Sequence, residues 1–246
     1  MSPEVYEMVF STGKKILEGV FQVLGLSELS TTKDDNVVAL NTLPWERTEI
    51  IDLPSGNTVV AKVAGLVSEV TPLNTEGSEV SAKQVDEETF ILENSQLRVE
   101  VNRGFITSLY DRKAKRETIA KGEKANQYVI FDDKPLYWQA WDVEVFHLDS
   151  RKELLNCSTK ISENSAHRVS LVTETKISSK SWIKTTISLS AAPDDSPASV
   201  VVHSEVEWQE TMKFLKVEFP VSVRNTEASY ETQYGIIRRP THYNTR

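Results

Sequence analysis

The stretch that decides the fold is LRVEVNRGFITSLY, at residues 97–110. Apolar Leu97, Val99 and Val101 alternate with two charged residues, which is typical of a strand that has one face in water. Asn102-Arg103-Gly104 has the composition of a three-residue hairpin connection. The pattern therefore predicts an antiparallel hairpin whose second strand covers residues 105–110.

Similar strand signals recur on both sides of this hairpin. Short apolar or alternating runs, separated by turns that contain proline or glycine, predict strands at 37–41, 47–51, 58–63, 66–70, 128–131, 143–147, 168–176, 182–190, 200–208 and 214–219. No helical pattern intervenes between them. Many strands at regular spacing predict a mainly β fold with a large antiparallel sandwich.

A helix is predicted at the start of the chain, over residues 2–25. Ser2 is a good N-cap and Pro3 suits the first helical position. Apolar residues recur near the period of 3.6 up to Gly25, which is placed to end the helix. Because the apolar stripe is broad, the helix needs a partner: either it covers the β region or it belongs to a bundle of helices.

These patterns divide the chain into four stretches. Residues 1–26 are predicted to form the helix, 37–70 a small β segment and 89–246 the β-sandwich. Residues 71–88 are polar and acidic, contain proline and glycine, and show no periodicity. We therefore predict that they form a linker.

The composition excludes several classes of protein. The 246 residues carry a net charge of −8, with 39% hydrophobic and 26% charged residues, as in a soluble globular protein. No apolar run is long enough to cross a membrane, and an acidic balance without a basic face argues against binding to nucleic acid. Cys157 is the only cysteine, so neither an internal disulfide nor a cysteine-based zinc cluster can form, and a reducing compartment is favoured.

The sequence contains no local motif of a metal site or a catalytic triad. The four histidines are far apart, and the chain has no HExxH, GxGxxG, P-loop or GxSxG motif. Adjacent acids such as Asp132-Asp133 point to opposite faces of a strand, so they cannot flank a glycosidic bond. We expect them to be solubilising charges, and we assign no catalytic residue and no metal ligand.

Aromatic residues are concentrated in PLYWQAWD, at residues 135–142. The indoles of Trp138 and Trp141 can stack on the apolar face of a sugar ring, and the Asp142 carboxylate can accept two hydroxyl hydrogen bonds. The alternative is that both tryptophans are buried core anchors. A second candidate is the segment 234–246, whose many hydrogen-bond donors suit a polyhydroxylated or anionic ligand, the alternative being a solvated tail.

Four motifs resemble family 38 of the glycoside hydrolases, the α-mannosidases. They are NTLPWERTE at 41–49, the hairpin region from LEN at 92–94 to GFITSLYD at 104–111, WQAWDV at 138–143, and RPTHYNT at 239–245. The last two are similar to the WDAWDVD and RPTHWNTSWD signatures of the cytosolic and fungal vacuolar branch. Their order and their spread over nearly the whole chain make the resemblance specific.

The resemblance implies a division of labour within a longer protein. Family members hydrolyse terminal α-mannosides with retention, using an Asp nucleophile that also binds Zn²⁺ in an N-terminal barrel domain. This chain is expected to begin after those groups, at the last helix of a helical bundle, and to end within a mutarotase-like sandwich. No residue here matches a zinc ligand or the nucleophile, so zinc, or cobalt, is expected in the catalytic domain and no cofactor on this chain.

The implied role of the chain is to scaffold the catalytic domain and to lend loops to the sugar pocket, without turnover on its own. Trp138, Trp141 and Asp142 are the first candidates for contacts with a mannose-containing oligosaccharide, and Arg239 and His242 are the second. The resemblance also implies a cytoplasmic or vacuolar protein that forms homo-oligomers and acts on neither nucleic acid nor membrane.

Two other interpretations stay open from the sequence. One is a free-standing carbohydrate-binding or interaction module built on the same type of sandwich, and the other is an unrelated structural β-protein. The helix separates the module from a part of a larger enzyme, because a broad apolar stripe without bundle partners fits a part better than a finished module.

Overall fold

The structure is a computed structural model that describes residues 3–25, 39–53, 58–66, 71–72, 80–139, 141–155, 157–192 and 197–242. It contains the helix α1 (Pro3–Val23), a 3-10 helix (Val145–Ser150) and many strands. The strands are β1 (Arg47–Asp52), β2 (Thr58–Val63), β3 (Thr71–Pro72), β4 (Ser81–Gln84), β5 (Thr89–Glu93), β6 (Leu97–Asn102), β7 (Phe105–Asp111), β8 (Arg116–Glu117), β9 (Gln127–Asp132), β10 (Lys152–Glu153), β11 (Cys157–Asn164), β12 (Arg168–Lys176), β13 (Trp182–Ser190), β14 (Val200–Glu207), β15 (Lys213–Glu218), β16 (Glu227–Thr232) and β17 (Gly235–Pro240). The predicted bounds of β2, β12 and β13 agree with the structure residue for residue.

The helix α1 is confirmed, and it lies outside the core. Gly25 follows it with a φ of 70° and donates its N–H to the carbonyl of Gln22, which is a typical helix end. None of the side chains of α1 is buried. The exposed apolar side chains of the helix include Tyr6, Val9, Phe10, Ile16, Leu17, Val20 and Phe21. The described residues therefore leave the apolar stripe uncovered.

Two antiparallel sheets pack face to face and form the predicted sandwich. One has the strand order β4-β5-β6-β7-β8, and the other has the order β11-β12-β13-β14. Alternate side chains of both sheets point inward and form one core, which includes Phe90, Leu92, Val99, Val101, Ile106, Val169, Leu171, Ile187 and Leu189. Burial of a single face explains the period-2 pattern of β5 and β13, whereas β12 is buried on both faces over residues 169–173.

The β6–β7 hairpin is confirmed, with a tighter turn than the sequence indicated. Asn102 pairs with Phe105, so Arg103 and Gly104 alone make the connection. Both have positive φ angles, 50° and 81°, as a type I′ turn requires. Gly104 also lies against Thr173 on β12, where a β-carbon at residue 104 would overlap the threonine methyl group.

Strand β11 begins beside this turn. The thiol of Cys157 donates to the carbonyl of Arg103, and the side chain is half-buried. Burial raises the pKa of the thiol. The side chains of β11 that are not exposed alternate as Cys157, Thr159, Ile161 and Glu163, so the strand carries too little apolar pattern to be predicted.

Two predictions were wrong in this part of the chain. The predicted linker 71–88 contains β3, which pairs with β2, and β4, which pairs with β5 as the first strand of the large sheet. The signal of β4 is weak because only Ala82 and the preceding Val80 pack on the core. The strand predicted at 143–147 is instead the start of the 3-10 helix. Residues 37–38, 67–70 and 73–79 lie outside the described residues.

Three smaller sheets accompany the sandwich. The first has the order β1-β2-β3, in which β1 and β2 come from the predicted small β segment and β3 from the predicted linker. A second has the order β10-β9-β15, and β16 and β17 form an exposed hairpin. A second core cluster joins the sheet of β9 to β13 through Tyr128, Leu154 and Ile183. This cluster ties the sheet that carries the candidate site to the sandwich.

Arg168 joins the small sheet to the sandwich. Its guanidinium donates to the carboxylate of Asp52 on β1 and, from Nε at 2.9 Å, to Glu163 on β11. Thr58 adds a contact of 3.1 Å between its hydroxyl and Nδ1 of His167. The hydrogen bond from Arg168 holds the pKa of Asp52 below its ordinary value.

We expect this ion pair to make stability depend on acid pH. A carboxyl group with a lowered pKa stabilises the fold above its unfolded-state pKa, and this stabilisation is lost as the pH falls through the folded-state value. Because Asp52 is mostly exposed, Asp52→Asn should lower the free energy of unfolding by only about 0.5 kcal/mol at neutral pH. The difference in the free energy of unfolding between parent and variant should disappear as the pH falls from about 5 to about 3.

Urea unfolding at several pH values measures this difference. Glu49→Gln is the control, because Glu49 pairs with Arg47 within β1 and forms no ion pair with the sandwich among the described residues. If Asp52→Asn stays less stable than the parent by the same amount down to the lowest pH, the charge of Asp52 does not stabilise the contact between the small sheet and the sandwich.

Candidate functional site

The described residues between β9 and the 3-10 helix, 133–139 and 141–144, form a loop that we call the aromatic segment. Its centre is a turn in which the carbonyl of Trp138 accepts the N–H groups of Trp141 at 2.7 Å and Asp142 at 3.0 Å. Trp138 has a φ of 59°, an uncommon conformation for a bulky residue and one that often marks a functional turn. The turn brings three of the five predicted sugar contacts together.

Both indoles of this turn are open to solvent. Trp138 is 75% exposed and Trp141 is 87% exposed, with Leu136 and Tyr137 exposed beside them. The alternative in which the tryptophans are core anchors is therefore wrong for this structure. These large aromatic side chains are therefore available for contacts outside the described residues.

The aromatic segment is anchored at its end by His147. The imidazole packs edge-on against Phe131 at 5.0 Å and Phe214 at 5.2 Å between ring centroids. Its Nδ1 lies 2.7 Å from the carbonyl of Glu144, and its Nε2 lies 3.4 Å from Nζ of Lys216. Both ring nitrogens of His147 therefore have polar partners, which fix the orientation of the imidazole.

A cavity of about 200 Å³, which we call the stem cavity, opens where the two ends of the aromatic segment meet. Ser150 braces both ends, because its hydroxyl accepts the N–H of Asp132 at 2.8 Å and donates to the carbonyl of His147 at 2.7 Å. The side chains that line the cavity are those of Asp132, Asp133, Lys134, Glu144, Phe146, His147 and Ser150. Both the start and the end of the segment thus contribute to one concave site.

The carboxylates of the stem cavity differ in their partners. Asp132 accepts hydrogen bonds from Lys213 and, at 3.0 Å, from Lys134, and these ammonium groups lower its pKa. Asp133 and Glu144 are half-buried, and neither forms an ion pair or a side-chain hydrogen bond with the described residues. The prediction that Asp132-Asp133 only solubilises the chain is therefore wrong: one acid is paired and both line a cavity.

The other two predicted sugar contacts lie on a different sheet. Arg239 is on β17 and pairs with Ala228 across the exposed hairpin, and His242 follows the end of that strand. The structure therefore does not bring them into the turn of Trp138, Trp141 and Asp142. Residues 243–246, the end of the second candidate segment, lie outside the described residues.

Sequence reasoning found the indoles but missed the stem cavity. Asp133, Glu144 and Phe146 come from opposite ends of a loop, and no spacing rule connects them. The one available signal was that acidic residues flank an aromatic-rich run. Many solvated loops show the same pattern, so it does not indicate a cavity.

The described residues do not fit a resident metal ion or a membrane span. Within them, the structure places no group of three or more His, Cys, Asp or Glu side chains so that they could hold a metal ion. A resident zinc ion is therefore not assigned to these residues, and we derive no reaction step through one. In the same part of the chain, no helix is long and apolar enough to cross a membrane.

Comparison with known proteins places this architecture in a family. The model of the glycosyl hydrolases family 38 C-terminal domain matches residues 92–246. Alpha-mannosidase 2C1 of Homo sapiens is 35% identical over 257 residues, which is 98% of this chain, and Alpha-mannosidase of Saccharomyces cerevisiae is 37% identical over 228 residues, which is 88%. These matches cover 24% and 19% of the two relatives, so the chain spans at most about a quarter of their length.

A solved structure shows the same fold. The crystal structure of an alpha-mannosidase from Enterococcus faecalis V583 matches 83% of this chain and 33% of its own chain, with a TM-score of 0.57 at 13% sequence identity. The family match covers more than half of this chain and includes three of the four motifs read from the sequence, those at 92–111, 138–143 and 239–245. The chain therefore belongs to glycosyl hydrolase family 38.

Proposed function

We propose that this chain is part of an α-mannosidase that hydrolyses terminal α-D-mannose residues of free oligomannose glycans. In this proposal it supplies the scaffold beside the catalytic domain and some loops of the sugar pocket. The observation that carries the proposal is an identity of 34–37% to proteins named alpha-mannosidase over 88–98% of the chain. We also propose a cytoplasmic or vacuolar location and a homo-oligomeric full-length protein.

The aromatic segment is the proposed contribution to the sugar pocket. Trp138 and Trp141 stack on the apolar faces of sugar rings, and Asp142 accepts hydrogen bonds from sugar hydroxyls. Their exposure and the turn that holds them together support this role. Arg239 and His242 are proposed as secondary contacts from the exposed hairpin.

The bond-breaking groups are proposed to belong to the rest of the longer protein. Retaining hydrolysis needs a nucleophile and an acid about 5 Å apart across the glycosidic bond. The family model that matches this chain is that of a C-terminal domain. In this proposal the nucleophile, the acid and the zinc ion meet the sugar from the catalytic domain, while this chain orients the glycan.

We expect the chain alone to hydrolyse no α-mannoside. Without a positioned nucleophile and acid, binding loops leave the barrier of glycoside hydrolysis unchanged. Purified chain, incubated with an aryl α-mannoside and Zn²⁺ or Co²⁺, should release the aryl group at the background rate. The S. cerevisiae enzyme under the same conditions is the positive control. Release above background that depends on the metal would contradict the proposed division of labour.

A chimeric enzyme tests the proposed function directly. The matched segment of the S. cerevisiae alpha-mannosidase is replaced by this chain, and the purified product is assayed with the same aryl α-mannoside. We expect activity, because the chain presents the scaffold and loops that the catalytic domain needs. A second chimera that carries an unrelated β-sandwich of similar size should be inactive. A folded first chimera without activity would overturn the proposal.

A further inference from the structure

The stem cavity is concave, partly buried and unexplained by the indole contacts. It lies where the two ends of the aromatic segment meet. Its walls are pre-organised: Ser150 bridges the two ends, and His147 is fixed by two aromatic rings and by the carbonyl of Glu144. A site whose walls are already held in place loses little entropy on binding.

The free carboxylates of the cavity define what it can bind. Asp133 and Glu144 have no ionic partner among the described residues, so each offers charged acceptor oxygens to a donor. Hydrogen bonds from neutral hydroxyls to a carboxylate are among the stronger polar contacts in proteins. Two such acceptors on one cavity suit the adjacent hydroxyls of a sugar.

The remaining walls fit a sugar ring and disfavour an anion. Phe146, 59% exposed, offers an apolar face for the C–H groups of the ring. Lys134, the only lysine or arginine among the described lining residues, is engaged by Asp132 at 3.0 Å. A phosphate would therefore meet two uncompensated carboxylates, and like charges repel strongly in a partly buried site.

We propose that the stem cavity is a second sugar subsite, which holds one uncharged hexose unit of the glycan and rejects units that carry phosphate. The proposal rests on the proposed function, because the aromatic segment delivers the glycan to it. Asp133 and Glu144 accept the hydroxyl groups, and Phe146 packs on the ring. The subsite makes the protein selective for neutral oligomannose over phosphorylated oligomannose.

Saturation-transfer difference NMR on the full chain tests the subsite. The method detects weak binding to monomers and to larger assemblies, so the association state of the chain does not affect the result. The probes are methyl α-mannoside and its 6-phosphate. We expect the parent chain to bind the uncharged probe at least about tenfold more tightly than the phosphate.

Removal of the two charges should erase this preference. In Asp133→Asn/Glu144→Gln the uncharged probe should bind about tenfold more weakly, and the two probes should differ by less than about twofold. Glu174→Gln, at an exposed position of β12, is the matched control and should behave like the parent. Circular dichroism verifies folding, and if the double variant does not fold, the isosteric Glu144→Gln should show a smaller shift in the same direction.

The outcomes separate this inference from the proposed function. If the cavity variant keeps full binding while Trp138→Ala/Trp141→Ala loses it, the subsite is wrong and the role of the aromatic segment stands. If neither variant weakens binding, both assignments are wrong. Absence of saturation transfer from the parent chain to the uncharged probe, or equal binding of the phosphate, also overturns the subsite.

Discussion

Replacement of Gly104 by alanine is expected to lower the free energy of unfolding by about 3 kcal/mol. At the φ of 81° that Gly104 adopts, an alanine costs about 1 kcal/mol, because its β-carbon crowds the backbone. The added carbon also overlaps the methyl group of Thr173, and the shift that this forces on packed strands costs roughly 2 kcal/mol more. Urea unfolding of parent and variant, followed by circular dichroism, measures the loss.

Gly122 is the matched control for this substitution. It has the same φ of 81°, but nothing lies within 4 Å of the β-carbon that an alanine would add. Gly122→Ala should therefore cost only the backbone part, about 1 kcal/mol. If both substitutions lower the free energy of unfolding equally, the overlap with Thr173 does not destabilise Gly104→Ala.

A second substitution isolates the overlap. Thr173→Ser removes the methyl group but keeps the hydroxyl, which lies 3.0 Å from the hydroxyl of Thr159. We therefore expect Gly104→Ala/Thr173→Ser to be more stable than Gly104→Ala alone. The double variant should recover most of the free energy of unfolding that Gly104→Ala loses beyond Gly122→Ala. The non-additivity of the double variant gives the coupling energy of the two positions. If the double variant is no more stable than Gly104→Ala, steric overlap is not the cause.

In the chimeric α-mannosidase, Asp142→Asn is expected to lower kcat/KM about 100-fold, the equivalent of roughly 3 kcal/mol. The backbone of Asp142 is held by the carbonyl of Trp138 at 3.0 Å, so the side chain is presented from a fixed turn. An amide keeps the shape of the carboxylate but loses the charge that strengthens hydrogen bonds from sugar hydroxyls. Steady-state kinetics with an aryl α-mannoside, together with the melting temperature, measures the effect.

Asp149→Asn is the control for charge alone. Asp149 is an exposed carboxylate on the 3-10 helix and forms no ion pair with the described residues. Its substitution should leave both kcat/KM and the melting temperature unchanged. If Asp142→Asn lowers the melting temperature but leaves kcat/KM unchanged, Asp142 serves packing. The sugar-binding role of its turn is then wrong.

The strands that the sequence predicted well are those that bury at least one whole face, and β12 buries both faces over residues 169–173. β12 and β13 supply the centre of the four-stranded sheet, and their inward side chains are almost all buried. β11 and the β16–β17 hairpin were missed for the opposite reason: the inward side chains of β11 are largely polar, and those of the hairpin are nearly all exposed. Periodicity reports burial, so a strand that buries little gives little signal.

The candidate site was predictable only where its residues are neighbours in sequence. Trp138, Trp141 and Asp142 share one turn and were found by composition. The 3-10 helix was mistaken for a strand, because Val143 and Val145 alternate, whereas the packing of His147 between two rings decides the local structure. Such a contact depends on strands distant in sequence, and a single sequence does not report it.

The reactivity of the Cys157 thiol is a measure of how firmly the start of β11 is held in the sheet. Cys157 is the only thiol of the chain, and its raised pKa keeps the reactive thiolate scarce while β11 stays paired beside the Arg103-Gly104 turn. Alkylation of this half-buried thiol is therefore expected to be slower than alkylation of a free thiol, and faster whenever β11 unpairs. The alkylation rate of the native chain can therefore be used to follow unpairing of β11 without an engineered cysteine.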